Sequence, residues 1–78
     1  MNGQRLLQEQ DLAALAKRFR QQAGKTKARA SLELGVNSST MHLAEENPEQ
    51  SLTKLRIRLI EKYSSYKVIG PVYLLKRK

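Results

Sequence analysis

The chain has 78 residues, enough for one small hydrophobic core, and contains no cysteine. Disulfide bonds and thiolate metal sites are therefore excluded, and we expect no cofactor. Fifteen lysines and arginines stand against seven acids, and the resulting net charge of +8 favours a polyanionic partner.

The hydropathy and the charge pattern narrow the class of protein further. No stretch approaches the ~18 apolar residues of a membrane span, and residues 1–11 hold no apolar run of the signal-peptide kind. We therefore expect a cytoplasmic protein with no membrane partner. Positive charge can serve solubility alone, but here it is segregated. Six cations and no acid lie between Leu12 and Leu32, whereas three glutamates follow Ala44 closely.

Residues 9–23 are predicted to form the first helix, because apolar side chains recur there at helical spacing. Acids near its start and bases near its end suit the helix dipole. Gly24 is expected to end the helix. Residues 1–8 are expected to be flexible, the alternative being that Leu6 and Leu7 extend the first helix. The apolar stripe comprises Leu12, Leu15, Ala16, Phe19 and Ala23.

Two short helices are predicted next, over residues 26–34 and 38–46, with a tight turn at Gly35 between them. Glycine is favoured just past a helix end because it adopts the left-handed conformation without strain. Thr26 and Asn37 are suited to cap the two helix starts with their side-chain oxygens. A helix, a short turn with glycine and a second helix form a helix-turn-helix, whose second helix can enter the DNA major groove. An ordinary helical hairpin without DNA is the alternative.

One set of residues in this region follows an ungapped pattern: Ala30-Ser31, then Gly35-Val36-Asn37-Ser38-Ser39-Thr40-Met41, then Glu45. This pattern resembles the Cro/Xre-type, lambda-repressor-like helix-turn-helix family. The resemblance is good over 24–47, extends over 11–63 and does not cover 66–78. It implies an all-α, lambda-repressor-like bundle of four to five short helices. Ala30 replaces a usual leucine, and Lys27 stands where the family usually has glutamine.

The resemblance implies that the outward face of helix 38–46 contacts base edges. Serine discriminates weakly between bases, and the helix contains no Arg, Gln or Asn that could grip a base with two hydrogen bonds. Water-mediated contacts and DNA shape are therefore expected to carry more of the specificity than usual. The candidate base-reading residues are Ser38, Ser39, Thr40, His42 and Leu43.

Contacts with the DNA backbone fix position and supply most of the salt-dependent affinity. In the family the start of the second helix approaches a phosphate, and Lys27 occupies that place here. The family's acid at Glu45 implies a structural tie to the first helix, through Arg20 or Arg18. The candidate phosphate-contacting residues are Lys17, Arg20, Lys25, Lys27, Arg29 and Asn47.

Residues 48–64 are expected to complete the helix-turn-helix domain, which spans 9–64. Pro48 marks the end of the third helix, because the residue before a proline is pushed away from helical geometry. Ser51 is expected to cap a fourth helix that runs to about residue 64.

Residues 65–78 differ in composition from the rest of the chain, because they are rich in β-branched and aromatic residues. Gly70-Pro71 interrupts this segment. The segment is either an edge strand with a bend or a small hairpin. A lone strand or isolated hairpin is barely stable in water. We therefore expect it to pair with a second copy across a two-fold axis, the alternative being that it folds back on its own helices. The expected dimerisation residues are Ile57, Val68, Ile69, Val72, Tyr73 and Leu74.

An enzyme is not expected, because His42 is the single histidine and no glycine-rich phosphate loop or metal-ligand spacing is present. We expect a homodimeric transcriptional repressor that reads a palindromic operator on double-stranded DNA through helix 38–46. Two alternatives stay open. One is an antitoxin that represses its own operon and binds a toxin protein. The other is a basic protein–protein adaptor without DNA binding.

Overall fold

The computed structural model describes residues 6–69 and 73–78. Four helices in this part of the chain are followed by an antiparallel hairpin. The predicted small helical bundle with a C-terminal hairpin is thus confirmed in outline. The elements in chain order are β1 (Leu6–Leu7), α1 (Glu9–Gln22), α2 (Lys27–Leu34), α3 (Ser38–Glu46), α4 (Thr53–Tyr63), β2 (Tyr66–Ile69) and β3 (Tyr73–Arg77).

Local capping explains why α2 and α3 begin and end where the sequence predicts. The Thr26 hydroxyl accepts a hydrogen bond from the Arg29 amide at 3.0 Å, and the Asn37 carboxamide oxygen accepts one from the Thr40 amide at 2.8 Å. Gly35 ends α2 with φ 71°, in the left-handed region that disfavours other residues. The turn between the two helices is therefore specified by Gly35 and Asn37.

Residues 1–5 of the segment expected to be flexible lie outside the described residues. Leu6 and Leu7 form β1, which pairs with β3, and the Leu7 side chain is buried in the core. Neither residue extends the first helix. A two-residue strand is too short to give a pattern in sequence. The cap predicted at Ser51 is also absent, because α4 begins at Thr53 and the Thr53 hydroxyl donates to Glu9 at 2.7 Å.

The core is aliphatic and lies between α1, α3 and α4. Leu12, Met41, Leu59 and Ile60 have no exposed surface, and smaller alanines of α1, α2 and α3 allow the helices to approach closely. Phe19 packs at the margin of this core, as the stripe on α1 predicts. No helix among residues 6–69 and 73–78 is both long and apolar enough to cross a bilayer.

Arg56 is the largest fully buried side chain, and its burial was not predicted. Its Nε donates to the Ala44 carbonyl at 2.8 Å and its Nη2 to the Asn47 carbonyl at 2.7 Å, while Nη1 donates to the Glu9 carboxylate at 2.7 Å. The last carbonyls of a helix lack partners within that helix. Arg56 therefore closes the end of α3 and joins it to the start of α1.

The C-terminal segment finds its strand partners within the chain. β3 is the central strand of a three-stranded antiparallel sheet in the order β1-β3-β2. The alternative in which the segment folds back on its own domain is therefore the one observed. A two-chain ribbon is no longer needed to satisfy these strands.

The outer edge of β2 is closed by side chains. The Val68 amide donates to the Glu61 carboxylate at 2.9 Å, and the Tyr66 amide donates to the Ser64 hydroxyl at 3.1 Å. An edge strand with free amides invites pairing with another chain, and capping these amides prevents it. A strand-paired dimer at this edge would have to give up these two hydrogen bonds.

The expected dimerisation residues have mixed exposure. Ile69 is 36% exposed, and Val72 lies outside the described residues. The half-buried members are Ile57, Val68, Tyr73 and Leu74.

Replacing Arg56 with methionine is expected to lower the free energy of unfolding by about 3 kcal/mol, because buried carbonyls and a carboxylate lose their donor. Urea unfolding followed by circular dichroism measures the change. Lys54→Met, an exposed substitution on the same helix, should stay within about 0.5 kcal/mol of the parent. Equal stability of both variants would show that Arg56 does not hold α3.

Replacing Glu61 with alanine is expected to promote self-association, because the Val68 amide at the edge of β2 loses its cap. Sedimentation velocity over a range of concentrations measures the effect. Glu61→Gln retains an acceptor oxygen and should behave like the parent. An alanine variant whose sedimentation matches that of the parent would contradict a protective role for this hydrogen bond.

Candidate nucleic-acid interface

The outward face of α3 carries three of the five predicted base-reading residues. Ser38, Ser39 and His42 are exposed. On the opposite face Met41 and Ala44 have no exposed surface. The two remaining candidates, Thr40 and Leu43, are half-buried at the sides of the helix.

The inner face of α3 is held by an ion pair between Arg20 and Glu45. Arg20 Nε lies 2.6 Å from Glu45 Oε2, and Nη2 lies 2.9 Å from Oε1, so the contact is bidentate. Both residues are only 5% exposed. The structural tie that the resemblance implied for Glu45 is therefore present, with Arg20 rather than Arg18 as the partner.

Arg20 is unsuited to the phosphate contact predicted for it, because its guanidinium is bound to Glu45. Besides its bond to Glu45, its Nη1 donates to the Lys25 carbonyl at 2.6 Å. All three guanidinium nitrogens are thus occupied inside the protein. A cation in this position cannot reach a phosphate without breaking the packing of α3 on α1.

Two of the remaining cations share one carboxylate on α3. Lys17 Nζ lies 2.7 Å from Glu46 Oε2, and Lys27 Nζ lies 3.5 Å from the same oxygen. The hydrogen bond from Lys17 lowers the pKa of Glu46. Glu46 therefore stays ionised and offsets part of the positive charge beside the outward face of α3.

Two other cations share Glu33 on α2. Lys25 Nζ and Arg29 Nε lie 3.1 and 3.2 Å from its Oε2, and the Tyr63 hydroxyl donates to Oε1 at 2.6 Å. The hydrogen bonds from Tyr63 and Lys25 lower the pKa of Glu33 to about 2. Burial, and the bond to Glu33, raise the pKa of Tyr63 to about 12.

Sequence reasoning missed the roles of Glu33 and Glu46, although a signal was present for Glu33. Glu33 lies four residues after Arg29, a spacing that places side chains side by side on a helix. The other partners of the two glutamates lie on different elements, and helical spacing alone does not predict them. These partners are Lys17, Lys25, Lys27 and Tyr63.

His42 contacts the lysine at the start of α2. Its Nδ1 lies 3.0 Å from Lys27 Nζ. Lys27 thus stands between two residues of the same α3 face, because it also approaches Glu46. The lysine at the start of α2 is therefore directed towards α3.

Asn47 ends α3 and is half-buried. Its carboxamide oxygen accepts from the Glu49 amide at 3.2 Å, and its backbone carbonyl accepts from Arg56. The oxygens of Asn47 are thus engaged in the turn. The carboxamide nitrogen is the group on this side chain with the chemistry to donate to a phosphate.

A groove with a volume of about 570 Å³ lies at the start of α4. Leu52 and Leu55 supply apolar surface, and Lys54 and Arg58 supply positive charge. Arg58 also donates to the Leu34 carbonyl at 2.7 Å, so the groove is fixed to the end of α2.

The hydrogen bonds of Glu33 make stability depend on pH. Its pKa falls from an ordinary value of 4.5 to about 2, so its contribution is complete above 4.5 and is lost as pH falls towards 2. Glu33→Gln should lower the thermal unfolding midpoint at neutral pH and flatten its decline over that window. Glu49→Gln removes a carboxylate from an exposed turn and should keep the parental decline. A Glu33→Gln variant with the parental pH dependence would refute this role.

In comparisons with known proteins, no family model, curated protein or solved structure matches the chain. The resemblance to the Cro/Xre-type family therefore rests on the residues between Ala30 and Glu45 and on their spacing.

Proposed function

We propose that this protein is a sequence-specific DNA-binding regulator that inserts α3 into the major groove. One observation carries the proposal: Ser38, Ser39 and His42 are exposed together on a short helix whose other face is fixed by burial. A rigid helix with a free polar face meets the requirement for reading base edges.

The helix-turn-helix geometry supports a lambda-repressor-like fold within this proposal. Gly35 has the left-handed backbone conformation of such a turn, and Asn37 caps α3. The buried pair of Arg20 and Glu45 ties α3 to α1, as the resemblance implies. These features would hold the recognition helix at a constant angle to α2.

Lys17, Lys25 and Arg29 are suited to phosphate contact despite their internal partners. Lys17, Lys25, Lys27 and Arg29 share two carboxylates, so positive charge remains in excess. Their side chains are between 34% and 63% exposed. Ion pairs of this kind contribute at most about 1 kcal/mol, so phosphates can compete for these cations.

A homodimer on a palindromic operator is part of the same proposal, with repression by promoter occupancy as its effect. The DNA half-site read by one short helix carries little sequence information, and a two-fold dimer doubles the number of bases that are read. Two amides at the edge of β2 already have side-chain partners, which favours another surface for the dimer.

A second candidate function, protein binding, is favoured by the groove at the start of α4. Its leucines and its cations would suit an acidic segment with an aliphatic side chain, supplied by a toxin or by another partner. An antitoxin would combine this groove with DNA binding, whereas an adaptor would use the groove alone.

Selection of binding sites from random duplex DNA tests the main proposal. We expect an enriched motif, and half-sites one helical turn apart would support the homodimer. If no motif is recovered, or if all sequences bind equally, sequence-specific recognition is overturned. Protein binding at the groove would then be the better-supported function.

Neutralising Lys25 and Arg29 together, as Lys25→Gln with Arg29→Gln, is expected to weaken binding to all duplexes alike. The slope of log affinity against log salt should become shallower by about 1.8, since each lost phosphate contact removes about 0.9. Fluorescence anisotropy over a salt series measures both quantities.

The matched control neutralises Lys67 and Lys76, which are cross-strand partners on β2 and β3 and are both exposed. It removes the same charge away from α3 and should leave the slope almost unchanged. Equal effects of the two double variants would indicate that net charge, rather than a surface beside α3, attracts DNA.

A further inference from the structure

The contact between Lys27 and His42 has a chemical consequence for the outward face of α3. A lysine ammonium only donates hydrogen bonds and has no acceptor. At 3.0 Å from Lys27 Nζ, the His42 Nδ1 atom must therefore be the acceptor. A neutral imidazole with an accepting Nδ1 carries its proton on Nε2, so the exposed ring offers an N–H donor.

Lys27 is held in this position by a second partner. Its ammonium lies 3.5 Å from the Glu46 carboxylate, one helical turn beyond His42, and its side chain is 34% exposed. Lys17, which lies 2.7 Å from the same carboxylate oxygen, helps to keep that carboxylate in place. Three contacts therefore follow one another: Lys17 of α1 binds Glu46, Glu46 binds Lys27, and Lys27 binds the His42 imidazole.

We propose that Lys27 is a positioning residue that fixes the tautomer of His42, and that the His42 Nε2–H donor makes His42 a specificity-determining residue for guanine. This inference rests on the proposed DNA binding and deepens it. The major-groove edge of guanine presents two adjacent acceptors, N7 and O6. Adenine and thymine present one acceptor each, beside a donor and a methyl group respectively, and cytosine presents a donor. A side chain that offers only a donor therefore favours guanine.

This assignment changes the role expected for Lys27. The sequence suggests a phosphate contact there, but the ammonium is engaged by His42 and Glu46. Loss of Lys27 is therefore expected to alter base preference more than the salt dependence of affinity. Neutralising Lys25 and Arg29 should have the reverse effect.

Two substitutions of His42 separate its two nitrogens. In His42→Asn the carboxamide oxygen takes the place of Nδ1 and can still accept from Lys27, but no group reaches the Nε2 position. In His42→Gln the longer carboxamide can place an N–H donor near the Nε2 position. Lys27→Met keeps the aliphatic stem of the lysine and removes its donor.

The first measurement needs no DNA. Long-range proton–nitrogen NMR spectra of the free, full-length protein, recorded under mildly alkaline conditions, report which ring nitrogen of His42 carries the proton. The Nε2–H form alone is expected in the parent, and a mixture of both forms in Lys27→Met. A mixture in the parent, or identical spectra for the two proteins, would overturn the positioning role of Lys27.

The second measurement uses the duplex obtained by site selection. Each guanine in turn is replaced by 7-deazaguanine, which lacks the N7 acceptor. At one position the parent and His42→Gln should lose affinity by roughly fivefold, the value of one hydrogen bond, whereas His42→Asn should be insensitive to the replacement. Lys27→Met should show an intermediate loss.

The outcomes distinguish this inference from the proposed function. If a motif is selected but no guanine position separates the parent from His42→Asn, the guanine assignment fails while DNA recognition stands. If no motif is selected, the proposed function and the guanine assignment fail together. The NMR spectra then still decide whether Lys27 positions His42.

Discussion

The hydrogen bonds of the buried Arg56 guanidinium determine where α3 lies, and the exposed surface of the protein depends on that position. Arg56 belongs to α4, yet it bonds to Ala44 and Asn47 at the end of α3 and to Glu9 at the start of α1. Burying a guanidinium is costly unless its donors are satisfied. Because α1, α3 and α4 meet at this side chain, α3 cannot rotate or slide without leaving buried guanidinium donors unsatisfied.

The outward face of α3 follows from this constraint. With Met41 and Glu45 held inside, a nine-residue helix has room to expose only a narrow strip of side chains. That strip contains two serines and His42. Such a surface offers little hydrophobic area and few groups that can form two hydrogen bonds with one base. Any duplex that it recognised would be read through single hydrogen bonds and through the fit of the DNA backbone to the protein. This is why the orientation of one imidazole matters in the proposed mechanism.

Local chemistry made most of the helical part of the fold predictable. Gly35, Thr26 and Asn37 act within their own turns, so their roles were visible in sequence. The burial of Arg56 was not predictable, because its partners lie on two other elements and its neighbours along the chain suggested an exposed face. The pairing of β3 with Leu6–Leu7 was hidden for a similar reason, since the two segments stand at opposite ends of the chain. In the candidate site the exposed serines followed from helical spacing, whereas the contact of Lys27 with His42 depends on how α2 and α3 cross.

The two shared glutamates give this surface a property that its net charge hides. Glu33 lies between Lys25 and Arg29, and Glu46 lies between Lys17 and Lys27, so each carboxylate offsets part of the positive charge around it. The protein thus carries its own counter-ions, and a polyanion that docks here must displace them rather than meet bare cations. Under the proposed function, weak encounters with any acidic polymer would then be discouraged, because only a ligand that fits well would recover the interactions given up. In a regulator, such internal competition would shorten the time spent on irrelevant sequences and sharpen the difference between right and wrong sites.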